Sequence, residues 1–469
     1  MNEIVTDRAV IIHRQHAARW AAVPLEERLA VLGRCRHAIA AQAEALAGTN
    51  RRSLADTLSA EVLPLAEAAR FLVRASRRLL ATRRLGAGPL WLFGVRQEVR
   101  REPRGLVLIL APGNYPLFLP GVQALQALAA GNGVAVKPAP GCSAPMRALA
   151  GLLAEAGLPE GVLRVLPEDG GPAAMRAGYD YVVLTGSAET GVAVARAAAE
   201  TLTPAAMELS GVDAAFVLPG ADLAVVAASL AYGLRLNAGA TCIAPRRVFV
   251  PRAMEADLLS RLLAQLPPPA SIPAGIAARL AGLLEDAEQR GARVVARNPA
   301  VLAGASAALP ILREDVFAPW LALVPVEDEE AALEAAARCP YALGASVFGP
   351  AGPAHAFAGR VNAGSVCVND LIVPTADPRL PFGGRGRSGY GVTRGAEGLL
   401  EMTVVKTVST RRFGRRPQLD PKLNGNSAQL LALLQVLHGE RATRVAAFRS
   451  LIGGRKKGAN PTRSPTGRG

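Results

Sequence analysis

Apolar and polar positions follow two different rhythms along this chain. From about Arg8 to Leu85 apolar residues return at helical spacing, as Leu29, Leu32, Cys35 and Ile39 do, which predicts helices. Val95-Arg96-Gln97-Glu98-Val99-Arg100 then alternates with a period of two, the pattern of a strand with one polar side. Leu106-Val107-Leu108-Ile109-Leu110 has no polar position, as a parallel strand covered on both faces requires. Further strand candidates at 134–137, 162–166 and 181–184 are separated by Ala/Leu-rich helical segments near 118–130 and 145–156. This alternation predicts a doubly wound α/β sheet. A second α/β series begins at Ala214-Ala215-Phe216-Val217-Leu218, continues through a helix at 221–235 and a strand at 247–250, and ends at Val366-Cys367-Val368. No internal repeat is visible.

Composition narrows the functions. The length of 469 residues predicts two or three domains, and a chain half apolar and 19% charged is that of an ordinary folded protein. No apolar run reaches the roughly 20 residues that span a bilayer. Met1-Asn2-Glu3 does not start a basic-then-apolar secretory signal. Five scattered cysteines form neither a disulfide framework nor a CxxC pair, so the expected compartment is the cytoplasm. The net charge of +15 suggests nucleic acid until it is divided: from Arg411 onward thirteen Lys/Arg face only Asp420 and Glu440, a local +11, which leaves +4 on the first 410 residues. The basic stretch reads as a linker at 411–417, a short apolar helix at 428–437, a helix carrying arginines and a Gly/Lys/Pro/Arg-rich end. The five histidines are dispersed, which takes most of the support from zinc hydrolase and Ser-His-Asp readings, and no metal site is expected. There is no GxxxxGK[ST] phosphate loop.

Candidate chemistry is spread over several motifs. In Asn237-Ala238-Gly239-Ala240-Thr241-Cys242, small residues leave room for a substrate to reach the Cys242 sulfur, and a thiolate attacks carbonyl carbon. A lone cysteine is more often a core residue, so both readings stay open. Asn114, in Ala111-Pro112-Gly113-Asn114-Tyr115-Pro116, follows the first buried strand at the edge where α/β sheets hold ligands. It is either an oxyanion donor or part of a turn. Gly186, Ser187 and Gly191 belong to a strand-to-helix turn suited to phosphate, a weak signal alone. Glu208 interrupts an apolar stretch, as a buried base or as a capping residue. Lys137 closes its strand, where it suits a cofactor ribose or phosphate, or is simply a surface lysine.

In order and spacing these motifs resemble the NAD(P)-dependent aldehyde dehydrogenase superfamily over about residues 8–409. The resemblance continues through Glu314-Asp315-Val316-Phe317-Ala318-Pro319, Pro340-Tyr341-Ala342-Leu343-Gly344 and Leu380-Pro381-Phe382-Gly383-Gly384. The short N-terminus and Val368-Asn369-Asp370 look most like the class-3-like branch. The resemblance implies two doubly wound α/β domains with a small β oligomerisation arm. It implies a cofactor-binding domain at 1–207, with 95–105 contributing to the arm, a catalytic domain at 208–390, an oligomerisation strand at 391–410 and a basic extension at 411–469. It implies oxidation of a small-molecule aldehyde by NAD or NADP in a homodimer. Cys242 is then the nucleophile, Glu208 the base that activates water, and Asn114 with the Cys242 N–H the oxyanion hole. Lys137, Gly186, Ser187, Gly191, Asp315 and Phe317 are the expected cofactor contacts.

This chain departs from the family at several points. Pro140 stands where a Glu often grips the cofactor ribose, Asp315 replaces the usual Glu, and Ser210-Gly211-Val212 replaces Gly-Gly-Lys. Ala240 stands for the usual Gln, and Pro374 for a His common in class-3-like members. The loss of a carboxylate at Pro140 points to use of NADP as well as NAD. Tyr115, Phe118 and Leu236 suggest an apolar access channel. The rival readings are a CoA-acylating relative, which typically lacks a base like Glu208, a phosphorylated-semialdehyde reductase, and a protein that holds nucleic acid or an anionic surface through its basic tail.

Overall fold

The computed structural model describes residues 7–50, 52–86, 88–89, 92–414, 416, 419 and 427–453. These divide into two compact units, one built from the chain up to Arg83 with Val99–Lys406, the other from Arg84–Glu98 with the chain beyond Lys406.

In the first unit the N-terminal helical stretch is broken where its chemistry demands. Pro24, with φ −52° and ψ 142°, cannot continue the helix Asp7–Ala22 and instead opens the helix Leu25–Ala41. The helix Leu63–Leu79 follows, and by Arg83–Arg84 (β1) the chain is extended. Val95–Pro103 is β2.

Leu106–Leu110 (β3), Gly133–Lys137 (β4), Leu163–Val165 (β5) and Tyr181–Gly186 (β6) are parallel neighbours in the order β5-β4-β3-β6. β3 is buried along its whole length, as its unbroken apolar run requires. The helix Phe118–Ala130 covers this sheet and is itself fully buried. Ala205–Leu209 (β7) extends the sheet beside β6, pairing Thr185 with Glu208. Its apolar positions are interrupted by Glu208, which is why periodicity did not reveal a strand that runs across residues 207 and 208.

The second sheet has seven strands. Asp213–Val217 (β8), Pro245–Pro251 (β9), Arg293–Arg297 (β10), Ala300–Ala303 (β11) and Trp320–Val326 (β12) belong to it. After Tyr341–Ala342 (β13) come two more of its strands, Gly344–Phe348 (β14) and Ser365–Val368 (β15). The order is β10-β11-β12-β9-β8-β14-β15, parallel except where β10 meets β11. Arg385–Gly386 (β16) pairs with β13, and Gly389–Tyr390 (β17) returns to the first sheet, antiparallel to β7. Gly389 sits opposite Glu208 at φ 99°, where a Cβ would come 1.9 Å from the Met207 carbonyl oxygen, so only glycine fits.

Thr403–Arg411 (β18), of which the residues from Thr407 onward belong to the second unit with Arg84–Glu98, closes a three-stranded sheet in the order β1-β2-β18. The expected apolar helix is present as Ser427–His438, packed against Arg441–Gly453, with Ala432 and Ala447 buried. Leu430, Leu431 and Leu434 remain more than half exposed. Arg415 and Pro417 of the expected linker, and residues 454–469, lie outside the described residues.

Candidate functional site

A cleft of about 500 Å³ opens at the carboxyl ends of β3 and β6, lined among others by Asn114, Gly186, Ser187, Glu208, Cys242 and Phe317. Six residues from distant parts of the sequence therefore meet in one place. Lys137, Gly191 and Asp315 are not in that lining. Gly191 packs its helix onto β7, because a Cβ there would lie 2.5 Å from the Leu209 side chain. Asp315 turns inward to Ser210, with Arg246 and Arg279 in its field.

Cys242 follows a loop with a demanding backbone. Asn237 and Ala238 both have φ 50° and ψ 37°, and Gly239 has φ 71°, three successive left-handed residues. A Cβ on Gly239 would lie 2.5 Å from the Ala318 carbonyl oxygen. The loop is tied down from several sides. Asn237 Nδ2 donates to the carbonyls of Asn114 at 3.1 Å and Ala240 at 3.0 Å. Arg246, buried against Trp320, donates through Nη1 to Ala318 O at 2.6 Å and through Nη2 to Gly239 O. Tyr115 and Thr241 share a hydroxyl hydrogen bond of 2.7 Å. Cys242 itself is partly exposed to the cleft.

Asn114 donates through Nδ2 to Ala240 O at 3.1 Å, so one amide proton is engaged and its second remains available to a ligand. The loop that carries Asn114 is anchored by a residue the sequence pattern did not single out. Glu61 is buried in the π-helical turn Leu58–Val62, and its Oε2 accepts from Leu117 N at 2.8 Å and Phe118 N at 3.0 Å. It caps the helix Phe118–Ala130 from outside that helix. Its other oxygen accepts from Asn50 and pairs with Arg52, whose guanidinium lies 4.6 Å from the centre of the Tyr115 ring.

Glu208 is almost completely buried, held between Thr185 on β6 and Gly389 on β17. Its Oε2 accepts from Thr393 Oγ1 at 3.0 Å. Burial raises its pKa above the ordinary carboxylate value, with Arg394 and the Thr393 hydrogen bond opposing. Burial also pushes the Cys242 thiol well up, and the charges of Glu208, Asp213 and Asp315 push the same way while Arg394 opposes. Asp213 is driven well up by burial, against the Gly344 amide, Arg247 and Arg246. Thr393, Arg394, Glu61 and Arg52 carry no local signature, since each acts through partners far away in sequence.

A second cavity also reaches Cys242 and Glu208 and is lined mainly by apolar groups. Tyr115, Phe118 and Leu236 are in its wall, as expected from the sequence, with Tyr232, Ile372, Phe382 and Arg394.

The cleft suits a dinucleotide. The 13-residue helix Ala188–Glu200 begins at Ser187, whose Oγ accepts from Thr190 N at 3.2 Å, and its N-terminal end faces the cleft at Gly186 and Ser187. Such an end favours phosphate. Lys137 closes β4 half-buried, its pKa lowered by burial against the pull of Glu168 and Asp169. Among the described residues no cluster of His, Cys, Asp or Glu could hold a metal ion.

Two open, mainly parallel sheets with a cysteine thiol and a buried carboxylate lining one cleft define an α/β fold of the dehydrogenase kind. The chain belongs to the aldehyde dehydrogenase family, whose profile matches residues 2–408. It is 33% identical to a "Probable coniferyl aldehyde dehydrogenase" of Pseudomonas aeruginosa, over 81% of this chain and 84% of that one. It is 29% identical to the 4,4'-diapolycopene aldehyde oxidase of Methylomonas sp, over 91% of this chain and 86% of that one. Its structure is similar to that of the P. syringae indole-3-acetaldehyde dehydrogenase in complex with NAD+, with a TM-score of 0.81 and 26% identity, covering 86% of this chain and 88% of that one.

Proposed function

We propose that this protein oxidises an aldehyde to its carboxylic acid with NAD(P)+ and water, through a covalent bond to Cys242. The observation that carries the reading is the meeting of Cys242, Glu208 and Asn114 in one cleft. Cys242 Sγ gives its proton to water in the cleft and attacks the carbonyl carbon, and the Asn114 amide and the Cys242 N–H hold the oxygen that becomes negative. When bound, the nicotinamide cofactor supplies the two-electron acceptor that takes a hydride from the resulting thiohemiacetal carbon. Glu208 takes a proton from water, the hydroxide attacks the thioester carbon, and the acid leaves with Cys242 released. Lys137, Gly186 and Ser187 are the groups that would hold the adenosine and phosphate portions, and Phe317 the nicotinamide end. Gly191 and Asp315 would act one layer back, by packing the helix and by supporting Ser210.

The apolar wall of Tyr115, Phe118 and Leu236 favours a medium aliphatic or aromatic aldehyde. We assign a homodimer on the strength of β18, an edge strand with Val404 and Val405 exposed. A cytoplasmic location agrees with five free cysteines. A panel of aldehydes with NAD and with NADP, followed by absorbance of the reduced nicotinamide, tests the reading. No reduction with any aldehyde would refute it.

A second role is favoured for the C-terminal segment. Exposed Leu430, Leu431, Leu434, Val445 and Phe448 sit in a stretch with thirteen Lys/Arg, a combination suited to an anionic surface. Its few aromatics argue against base stacking with nucleic acid. Salt-sensitive retention on anionic vesicles, lost on truncation at Arg411, would support this role, and equal retention of both forms would contradict it.

A further inference from the structure

Arg394 is a charged residue in a place that ordinarily excludes one. It is 5% exposed, and it precedes the helix Gly395–Glu401 with φ 61° and ψ 175°, a conformation that side chains rarely adopt. Its backbone N–H donates to Gln126 Oε1 at 3.3 Å, and its Nη1 donates to the Thr375 carbonyl at 2.6 Å. The guanidinium lies 4.2 Å from the centre of the Phe382 ring and 5.6 Å from that of Phe118. Nε has no hydrogen-bond partner. One carbonyl and two ring faces do not compensate a buried cation, so nearby negative charge must do the rest.

That charge is close at hand. Arg394 lines the same cavity as Cys242 and Glu208, and the preceding residue, Thr393, holds one Glu208 oxygen while the other has no partner. The groups that face Cys242 are Glu208, Asp213 and Asp315, all acidic, together with Arg394, Arg246 and the Tyr115 phenol. Arg246 is committed elsewhere: it bonds the carbonyls of Gly239, Ala318 and Trp320, and it faces Asp213 and Asp315. Arg394 lines the cavity with Glu208 and Cys242 and lies in the field of both.

Resting on the assignment of Cys242 as nucleophile and Glu208 as base, we propose that Arg394 is a positioning cation, whose pinned guanidinium balances the negative charge that the Cys242 sulfur and the Glu208 carboxylate carry in turn during the catalytic cycle. The sulfur is negative when it attacks, and the carboxylate is negative before it takes a proton from water. Both states are disfavoured by burial, the sulfur's also by the neighbouring acids, and Arg394 opposes that penalty for both. The Thr375 carbonyl and the Phe382 ring hold its guanidinium in place for both.

The test uses the full chain without substrate. Alkylation of Cys242 by iodoacetamide is followed by peptide mass spectrometry from pH 5.5 to 10 in wild type, Arg394→Lys and Arg394→Met. Thermal unfolding is recorded beside it. The expected result is at least tenfold slower alkylation at pH 7.5 in Arg394→Met, a profile displaced upward by about one pH unit, and return to within threefold of wild type in Arg394→Lys. A folded Arg394→Met with the wild-type profile overturns the proposal. So does an Arg394→Lys as slow as Arg394→Met, because that result makes shape rather than charge the requirement. If Arg394→Met fails to fold, Arg394→Lys decides alone, and alkylation more than tenfold below wild type rejects the role. The readout needs no turnover. Persistent activity in Cys242→Ala would sink the nucleophile assignment separately, leaving the effect of Arg394 on the sulfur still measurable.

Discussion

At the scale of single residues, the site is a small set of groups whose ordinary chemistry has been moved by burial. Cys242→Ala removes the atom that bonds to substrate but touches none of the expected cofactor contacts, so turnover should vanish while NAD(P) binding, measured by nicotinamide fluorescence or calorimetry, survives. Dehydrogenase activity near wild type in that variant would defeat the assignment. For pH, the sign follows from burial. Glu208 works as a base only when ionised, and its pKa stands above the ordinary 4.5. The acid limb of the thioester-hydrolysis rate therefore lies above pH 4.5. For folding, the same shift stabilises the protonated form, a contribution present at low pH and lost as pH rises through the folded-state value. On local setting alone Cys242, Asn114 and Glu208 each kept two readings in the sequence, and only the order and spacing of the motifs, through the family resemblance, singled them out. Arg394 and Glu61 were not singled out, since Arg394 reads as a solvated arginine after a glycine-rich turn, and Glu61 as a polar helix residue. Only the fold shows what each one meets.

At the scale of elements, the clearest signal was the unbroken apolar run of β3, which only a doubly covered strand explains. β7 was hidden because its functional residue breaks the very pattern that would have disclosed it. The long N-terminal helical stretch was legible as helix, but its π-helical turn Leu58–Val62 was not, because a one-residue change of winding leaves the apolar spacing almost intact. That turn carries Glu61, and through Glu61 it anchors the start of the helix Phe118–Ala130 and the Asn114 loop. Glu61→Ala strips both N–H groups of their acceptor and leaves the mostly covered Arg52 without its ion-pair partner. The expected cost is about 3–5 kcal/mol, read from urea unfolding, with a fall in kcat in whatever fraction remains folded. An unchanged unfolding midpoint would show that water or another group replaces Glu61 at no cost.

At the scale of the whole molecule, two features carry predictions of their own. The first is cofactor choice. Pro140 offers no carboxylate to repel a 2′-phosphate, and Glu168, close enough to act on Lys137, is already accepting from the amides of Gly141 at 2.6 Å and Ser143 at 3.1 Å. NADP should therefore support a rate within about tenfold of NAD, a difference of roughly 1.4 kcal/mol. A preference for NAD above a thousandfold would mean that another anion guards the ribose. The second is the basic extension, whose helices Ser427–His438 and Arg441–Gly453 pack on each other. Limited trypsin digestion should pass through a species that keeps this helical pair, and loss of everything beyond Arg411 in one step would contradict that.

The central claim is that this enzyme hydrolyses its own thioester with Glu208. Uncatalysed water attacks thioesters slowly, and a general base contributes about 10²–10⁴-fold. Glu208→Gln keeps the shape and cannot take a proton. Rapid-mixing of that variant with aldehyde and NAD(P)+ should give one reduced nicotinamide per active site and then stall, with the acyl group on Cys242 visible by mass spectrometry. Steady turnover near wild type would contradict the account, and rapid transfer of the acyl group to added CoA in the wild-type enzyme would make it an acylating dehydrogenase instead.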